Sequence, residues 1–203
     1  MTTTEEIKPG FNIPFNILES YKSKVVSAEE AVQVVKPHDN VVVQCGCAVP
    51  LVLINALVKR KDELTDVKMM HVLTVGELPY LEPGMEKHFK HNAFFIGGNS
   101  RKAVSEGRAD TTPIYLYEYP LLFTRGIISV DVALVHVSPP DEHGFCSYGV
   151  DVGLIKNAAL KAKNIIAQIN PNMPRTYGDS FIHINKINSI VEINEPIKEL
   201  PQT

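Results

Sequence analysis

Apolar residues along this chain fall into short, dense runs separated by polar turns, and the runs are of two kinds. Val41-Val42-Val43-Gln44, Met70 to Val75, Ala93-Phe94-Phe95-Ile96, Val132 to Val137 and Ile165 to Ile169 are rich in β-branched or aromatic residues and are apolar on both faces. That is the pattern of strands covered on two sides, as in a parallel sheet held between helical layers. Between them lie stretches with helical spacing: Pro50 to about Lys61, about Ser100 to Glu106 with Gly107 as a left-handed cap, and about Val152 to Lys163. An earlier short helix is marked by Ser27 and Glu30, spaced as a capping box, and runs to Lys36 before Pro37 forbids continuation. A last strand is expected at Ile190-Val191-Glu192-Ile193. Strands and helices in alternation predict an α/β fold of three layers, a mainly parallel open sheet flanked by helices, with right-handed crossovers.

The two ends read differently. Residues 1–26, punctuated by KPGFNIPFN, are expected to form an arm lying on the α/β domain at 27–194, and 195–203 (EPIKELPQT) are expected to begin an interdomain linker.

Composition narrows the class of protein. With 203 residues and 44% apolar side chains, the chain can bury one good core. Charged residues make up 21%, sum to −3 and form no block of like sign, so a surface built to coat nucleic acid is not expected. No apolar run reaches the roughly 20 residues a membrane span needs, and MTTTEEIKPG lacks the order of a signal peptide, so a cytoplasmic protein is expected. Cys45, Cys47 and Cys146 are odd in number and fit reduced thiols.

In open parallel sheets, ligands bind beyond the carboxyl ends of the strands. The loops there are QCGCAVP, VGELPY, GGNSRK and SPPDEHGFCSYG, and every one carries a glycine, which allows close backbone approach and frees amide donors. The same glycines also serve simple turn geometry. No GxGxxG follows the first strand, there is no GxxxxGK[ST], and no GxSxG elbow is present. Cys45, Cys47, Cys146, His136 and His143 lack the close pairing of a metal site, so no metal is expected and the thiols read as inert. Glu77, Glu118, Asp141 and Glu142 lie in or near loops, and nothing local marks any of them as a nucleophile.

Three segments carry a resemblance that periodicity does not supply. FFIGGNSRKAVSEGRAD from Phe94, DVALVHVSPPDEHGFCSYGVDV from Asp131 and AQINPNMPRTYGDSFIH from Ala167 resemble the N-terminal half of the acetyl-CoA hydrolase/transferase family, class I CoA-transferases of the 4-hydroxybutyrate type with a NagB-like fold. The combination of SPPDEHG with NPNMPRT is the specific part. The resemblance implies a two-domain enzyme that moves coenzyme A between a short acyl-CoA (4-hydroxybutyryl, butyryl or acetyl) and a carboxylate such as acetate. In it, a glutamate attacks the thioester, and a glutamyl-CoA thioester is then resolved by the second carboxylate. That glutamate is expected in a C-terminal domain, in the same chain or a separate subunit, so no catalytic residue is expected here. The coenzyme A thioester enters as substrate, with no permanently bound cofactor, and a homo-oligomer is expected. By the same resemblance, the substrate-binding residues of this half are Gly76, Glu77, Gly98, Asn99 and Ser100, with Gln44 and Gly46 added. For Asn99 and Ser100, helix capping is the alternative. Arg175 and His183 either face the domain interface or serve as an ordinary turn ion pair and a structural histidine. Acyl-CoA hydrolysis on the same scaffold, or a non-catalytic module binding acyl-CoA or a carboxylate, are the other functions these residues leave open.

Overall fold

The computed structural model describes residues 14–200. Seven parallel strands form the central sheet in the order β4-β3-β2-β1-β5-β7-β9. They are β1 (Asn40–Val43), β2 (Val67–His71), β3 (Phe89–Ala93), β4 (Ala109–Thr111), β5 (Val132–Val137), β7 (Asn164–Ile169) and β9 (Ser189–Glu192). Two further strands, β6 (Phe145–Ser147) and β8 (Phe181–His183), pair antiparallel as a separate ribbon.

Side chains alternate across the sheet into two cores. Val41, Val43, Met69, Val132, Leu134 and Ile166 pack under α2 (Ala28–Ala31) and α3 (Leu51–Lys59). Val42, Met70, Ala133, Val135, Ile165 and Ala167 pack beneath α5 (Tyr119–Thr124), α6 (Ile155–Lys161) and the β6–β8 ribbon. Both faces are buried, as expected when parallel strands are connected by crossover helices.

The capping box forms as the spacing predicts. Ser27 Oγ accepts from Glu30 N–H (3.2 Å) and Glu30 Oε2 accepts from Ser27 N–H (2.9 Å). Ser27→Ala is expected to destabilise the fold by about 1 kcal/mol, read as a shift in urea midpoint at unchanged slope.

Several expected boundaries move. β5 matches the predicted strand and β1, β7 and β9 lie within one residue of theirs, but β2 and β3 begin three and four residues before the predicted runs. Their first turns carry Lys68 and Lys90, which pair across the strands and point to solvent, so apolar counting passes over them. The apolar residues beyond the ladder, Val72 and Leu73, line a cavity instead of extending β2. The first helix ends at Ala31 and continues to Val34 as a 3₁₀ turn, and the helix expected over 152–163 narrows to α6.

Regular structure begins within the expected arm. Phe15–Lys22 form α1, whose Tyr21 enters the core and donates from its hydroxyl to Glu192 Oε1 (2.6 Å) at the end of β9. Burying that aromatic ring rewards helix formation where punctuation by proline and asparagine hid it. Residues 1–13 of the arm and 201–203 of the linker lie outside the described residues. Among the described residues no helix is long and apolar enough to cross a membrane.

Candidate active-site wall

The chain leaves β1 toward β2, β3 and β4 on one side, while β5, β7 and β9 fill the other. The loops after β1 and β5 therefore diverge, and in such sheets that switch point is where a ligand crevice opens. Gln44 stands there, fully buried. Its Oε1 accepts from His136 N–H on β5 (2.6 Å), which continues the ladder one step past the end of β1. Its Nε2 donates to Tyr148 O (3.0 Å) and Asp151 O (2.7 Å). One side chain thus ties the first βα turn to the loop that precedes α6.

Two further contacts fix that loop. Cys45 N–H donates to Asp151 Oδ2 (3.0 Å). Gly149, at φ +65°, lies so close to Met173 and Pro174 that a Cβ would sit 2.1 Å from the Met173 sulfur and 3.1 Å from the Pro174 carbonyl, so this position has room only for glycine.

A cavity of about 400 Å³ lies over the carboxyl ends of β1 and β2, toward the lower end of the roughly 300–1,000 Å³ usual for ligand pockets. Cys45, Gly46, Val72, Leu73, Tyr119, Asp151 and Leu154 line it, and Leu116 stands exposed at its mouth. Among the described residues Asp151 is the one charged group in this wall. Burial raises its carboxyl above the usual range, partly offset by the hydrogen bond from Cys45 N–H. Cys45 is itself pushed far up by burial and by Asp151, and its sulfur accepts from Val72 N–H (3.3 Å), so the thiol is inert.

A second group of predicted residues forms a ridge beside the cavity. Gly46 N–H donates to Leu73 O (2.6 Å) and Gly46 O accepts from Val75 N–H (3.1 Å), coupling the first loop to the second. Gly46 holds φ +58°, a left-handed conformation that glycine adopts without steric cost. Asn99 then donates from Nδ2 to Thr74 O (3.1 Å), Thr74 Oγ1 (3.2 Å) and Gly76 O (3.0 Å), coupling the second loop to the third.

The structure thus brings Gln44, Gly46, Gly76 and Asn99 into one connected assembly, of which Gly46 alone lines the cavity. Glu77 and Gly98 sit exposed on neighbouring loop tips. Ser100 is buried, and its hydroxyl accepts from Gly97 N–H (3.1 Å). Neither Asn99 nor Ser100 makes a side-chain cap on α4 (Arg101–Ser105), so capping, the alternative reading for both, does not describe them. Arg175 is spent on Asp141 and on Phe145 O (2.9 Å), with its guanidinium over the Phe181 ring. His183 hydrogen-bonds His143 O (2.9 Å) and accepts from Asn185 N–H (3.1 Å). Both side chains hold the β6–β8 ribbon together.

Sequence reasoning missed Asp151, Thr74, Leu116 in the 3₁₀ turn before α5, and Tyr119 at the start of α5. Asp151 had a usable signal, an acidic residue in a glycine-flanked loop just before a helix on the carboxyl side of the sheet. No such signal marks Tyr119, whose ring stacks on Phe94 (5.2 Å) across the sheet face.

A switch-point cavity on an open parallel sheet, walled by apolar residues and one carboxylate, defines an α/β domain built to receive a small, mostly apolar group. The chain belongs to the acetyl-CoA hydrolase/transferase family: the N-terminal domain of that family matches residues 15–200. It is 48% identical over 182 residues to 4-hydroxybutyrate coenzyme A transferase of Clostridium kluyveri, covering 90% of this chain and 42% of that protein. Against succinyl-CoA:acetate/propanoyl-CoA:succinate CoA transferase of Fasciola hepatica, identity is 40%, covering 86% and 36%. The solved structure of 4-hydroxybutyrate CoA-transferase from Porphyromonas gingivalis superposes with a TM-score of 0.76 at 34% identity, over 90% of this chain and 42% of that one. The chain therefore spans less than half the length of these relatives.

Proposed function

We propose that this chain is the N-terminal half of a CoA-transferase that moves coenzyme A between a short-chain acyl-CoA and a carboxylate such as acetate. The observation that carries this reading is the cavity at the ends of β1 and β2, sized for a short acyl tail and reached past Leu73 and Leu116. The family and the relatives' CoA-transferase activities support it. Reaction proceeds through a glutamyl-CoA thioester on a glutamate of a C-terminal domain, while Gly46, Gly76, Glu77, Gly98, Asn99 and Ser100 belong to loops on the acyl side of the cleft. Gln44 acts from beneath by holding the Asp151 loop. The protein works in the cytoplasm as a homo-oligomer, and its second domain covers the exposed Tyr115, Leu116 and Tyr117 beside the cavity mouth.

The full-length protein incubated with acyl-CoA and treated with borohydride should carry a reduced glutamyl side chain, located by peptide mass mapping outside residues 1–203. Recovery of the label on Glu77, Glu142 or Asp151 would overturn the assignment. So would turnover of a CoA thioester by this chain alone.

A further inference from the structure

Asp151 has one carboxylate oxygen committed and one available. Oδ2 accepts from Cys45 N–H, and among the described residues no donor reaches Oδ1. The residue cannot swing away, because its own carbonyl is held by Gln44 Nε2 (2.7 Å) and its carboxylate by the β1 turn. The rest of the wall offers little polar competition. Val72, Leu73, Leu116, Tyr119 and Leu154 present apolar surface, and the Cys45 sulfur is already engaged by Val72 N–H. Water can reach Oδ1 in the open cavity, but a ligand that displaces that water without supplying a donor leaves the acceptor bare, and that cost is what turns such a group into a selector.

On the CoA-transferase reading, which this inference rests on, we propose that Asp151 sets acyl specificity: it accepts a hydrogen bond from a hydroxyl on the acyl tail and repels a second carboxylate. The substrate class is a short ω-hydroxyacyl thioester, with plain acyl groups tolerated and dicarboxylic acyl groups rejected. The methylenes of such a tail lie against Val72, Leu73 and Leu116, and its hydroxyl meets Oδ1. A succinyl tail would bring a like charge to the same point in a medium that screens poorly.

The test compares kcat/KM of the full-length enzyme for 4-hydroxybutyryl-CoA, butyryl-CoA and succinyl-CoA, with acetate as acceptor, in the wild type and in Asp151→Asn. The wild type is expected to prefer 4-hydroxybutyryl over butyryl by about tenfold or more, with succinyl the poorest of the three. In Asp151→Asn the amide oxygen keeps the Cys45 hydrogen bond and the amide nitrogen faces the cavity as a donor. The succinyl-to-butyryl ratio should then rise by about tenfold or more. Equal use of 4-hydroxybutyryl and butyryl groups by the wild type overturns the proposal, whatever the variant does. An equal loss for all three thioesters in Asp151→Asn also overturns it, and would give the carboxylate to an amide N–H of the pantetheine arm. Absence of transfer with every thioester would instead overturn the underlying CoA-transferase reading.

Discussion

Gln44→Leu is expected to lower the unfolding free energy by about 3–5 kcal/mol, although leucine is apolar, similar in size and enters a fully buried position. The reason is the number of partners. Gln44 satisfies His136 N–H, Tyr148 O and Asp151 O at once. None of these backbone groups has another hydrogen-bond partner among the described residues, and an unpaired buried group costs about 1–3 kcal/mol. Gln44→Glu should be as harmful, because it replaces the donor to two carbonyls with an oxygen that repels both. Urea or guanidinium titration of the purified chain measures the effect. A loss below about 1 kcal/mol for the leucine variant would mean that water or a shifted loop replaces all three bonds.

Acid should unfold this domain sharply, because three buried imidazoles resist protonation in the folded state. His71 is held down to about 3 by burial and by its neighbour His91, while burial holds His91 and His136 down to about 4 each. The geometry agrees. His71 and His91 stack at 4.4 Å. His71 Nδ1 hydrogen-bonds Val72 O (2.7 Å), and its Nε2 accepts from Tyr80 Oη–H (2.5 Å). His91 donates from Nδ1 to Met69 O (3.0 Å), which leaves its Nε2 buried without a partner among the described residues, as are both ring nitrogens of His136. In the unfolded chain these rings take up protons near pH 6.5, but in the folded one they do not until about pH 3–4. Their contribution is therefore fully present above pH 6.5 and is lost as pH falls from there toward 4. Each ring contributes a slope of about 1.4 kcal/mol per pH unit, so the three together approach 4 kcal/mol per unit below about pH 6. A total stability of about 6–10 kcal/mol, within the range usual for domains, would be exhausted near pH 4–5. Denaturant midpoints measured from pH 7 to 4.5 would show the slope, and His91→Asn, which retains a donor for Met69 O, should remove about one third of it. A stability independent of pH over that range would contradict the buried, neutral assignment.

Tyr80 links this cluster to the candidate site. It belongs to the segment that follows Gly76 and Glu77, so its bond to His71 anchors the second loop of the ridge to the end of β2. Loss of that anchor on acidification would loosen Gly76 and Glu77 before the sheet itself opens, since loop contacts are the less stable part of such folds.

The order of β1, β2, β3, β5, β7 and β9, the helices α2, α3, α4 and α6, the parallel sheet and the position of the β1 turn were legible in the sequence, because they depend on local signals (β-branched runs, a capping box, glycine at tight turns), whereas α1, β4, α5 and the β6–β8 ribbon were not. Burial on both faces makes β5 and β7 apolar at nearly every position, His136, Asn164 and Gln168 apart, and their limits could be read almost to the residue. The limits of β2 and β3 could not, since Lys68 and Lys90 belong to the ladder while Val72 and Leu73 belong to a cavity, and hydrophobicity alone does not separate a sheet neighbour from a pocket wall. The resemblance named the loops after the strands. Only the tertiary structure decided what each side chain in them does, because hydrogen bonds join residues about a hundred positions apart: Gln44 to Tyr148, Cys45 to Asp151. A glutamine marked as a ligand group became the tie between loops, and an aspartate not counted among the candidate residues acquired, at an apolar wall, an oxygen that no donor reaches among the described residues. The chemistry of such a group is set by which neighbours spend its polar atoms, and those neighbours meet only after the chain has folded.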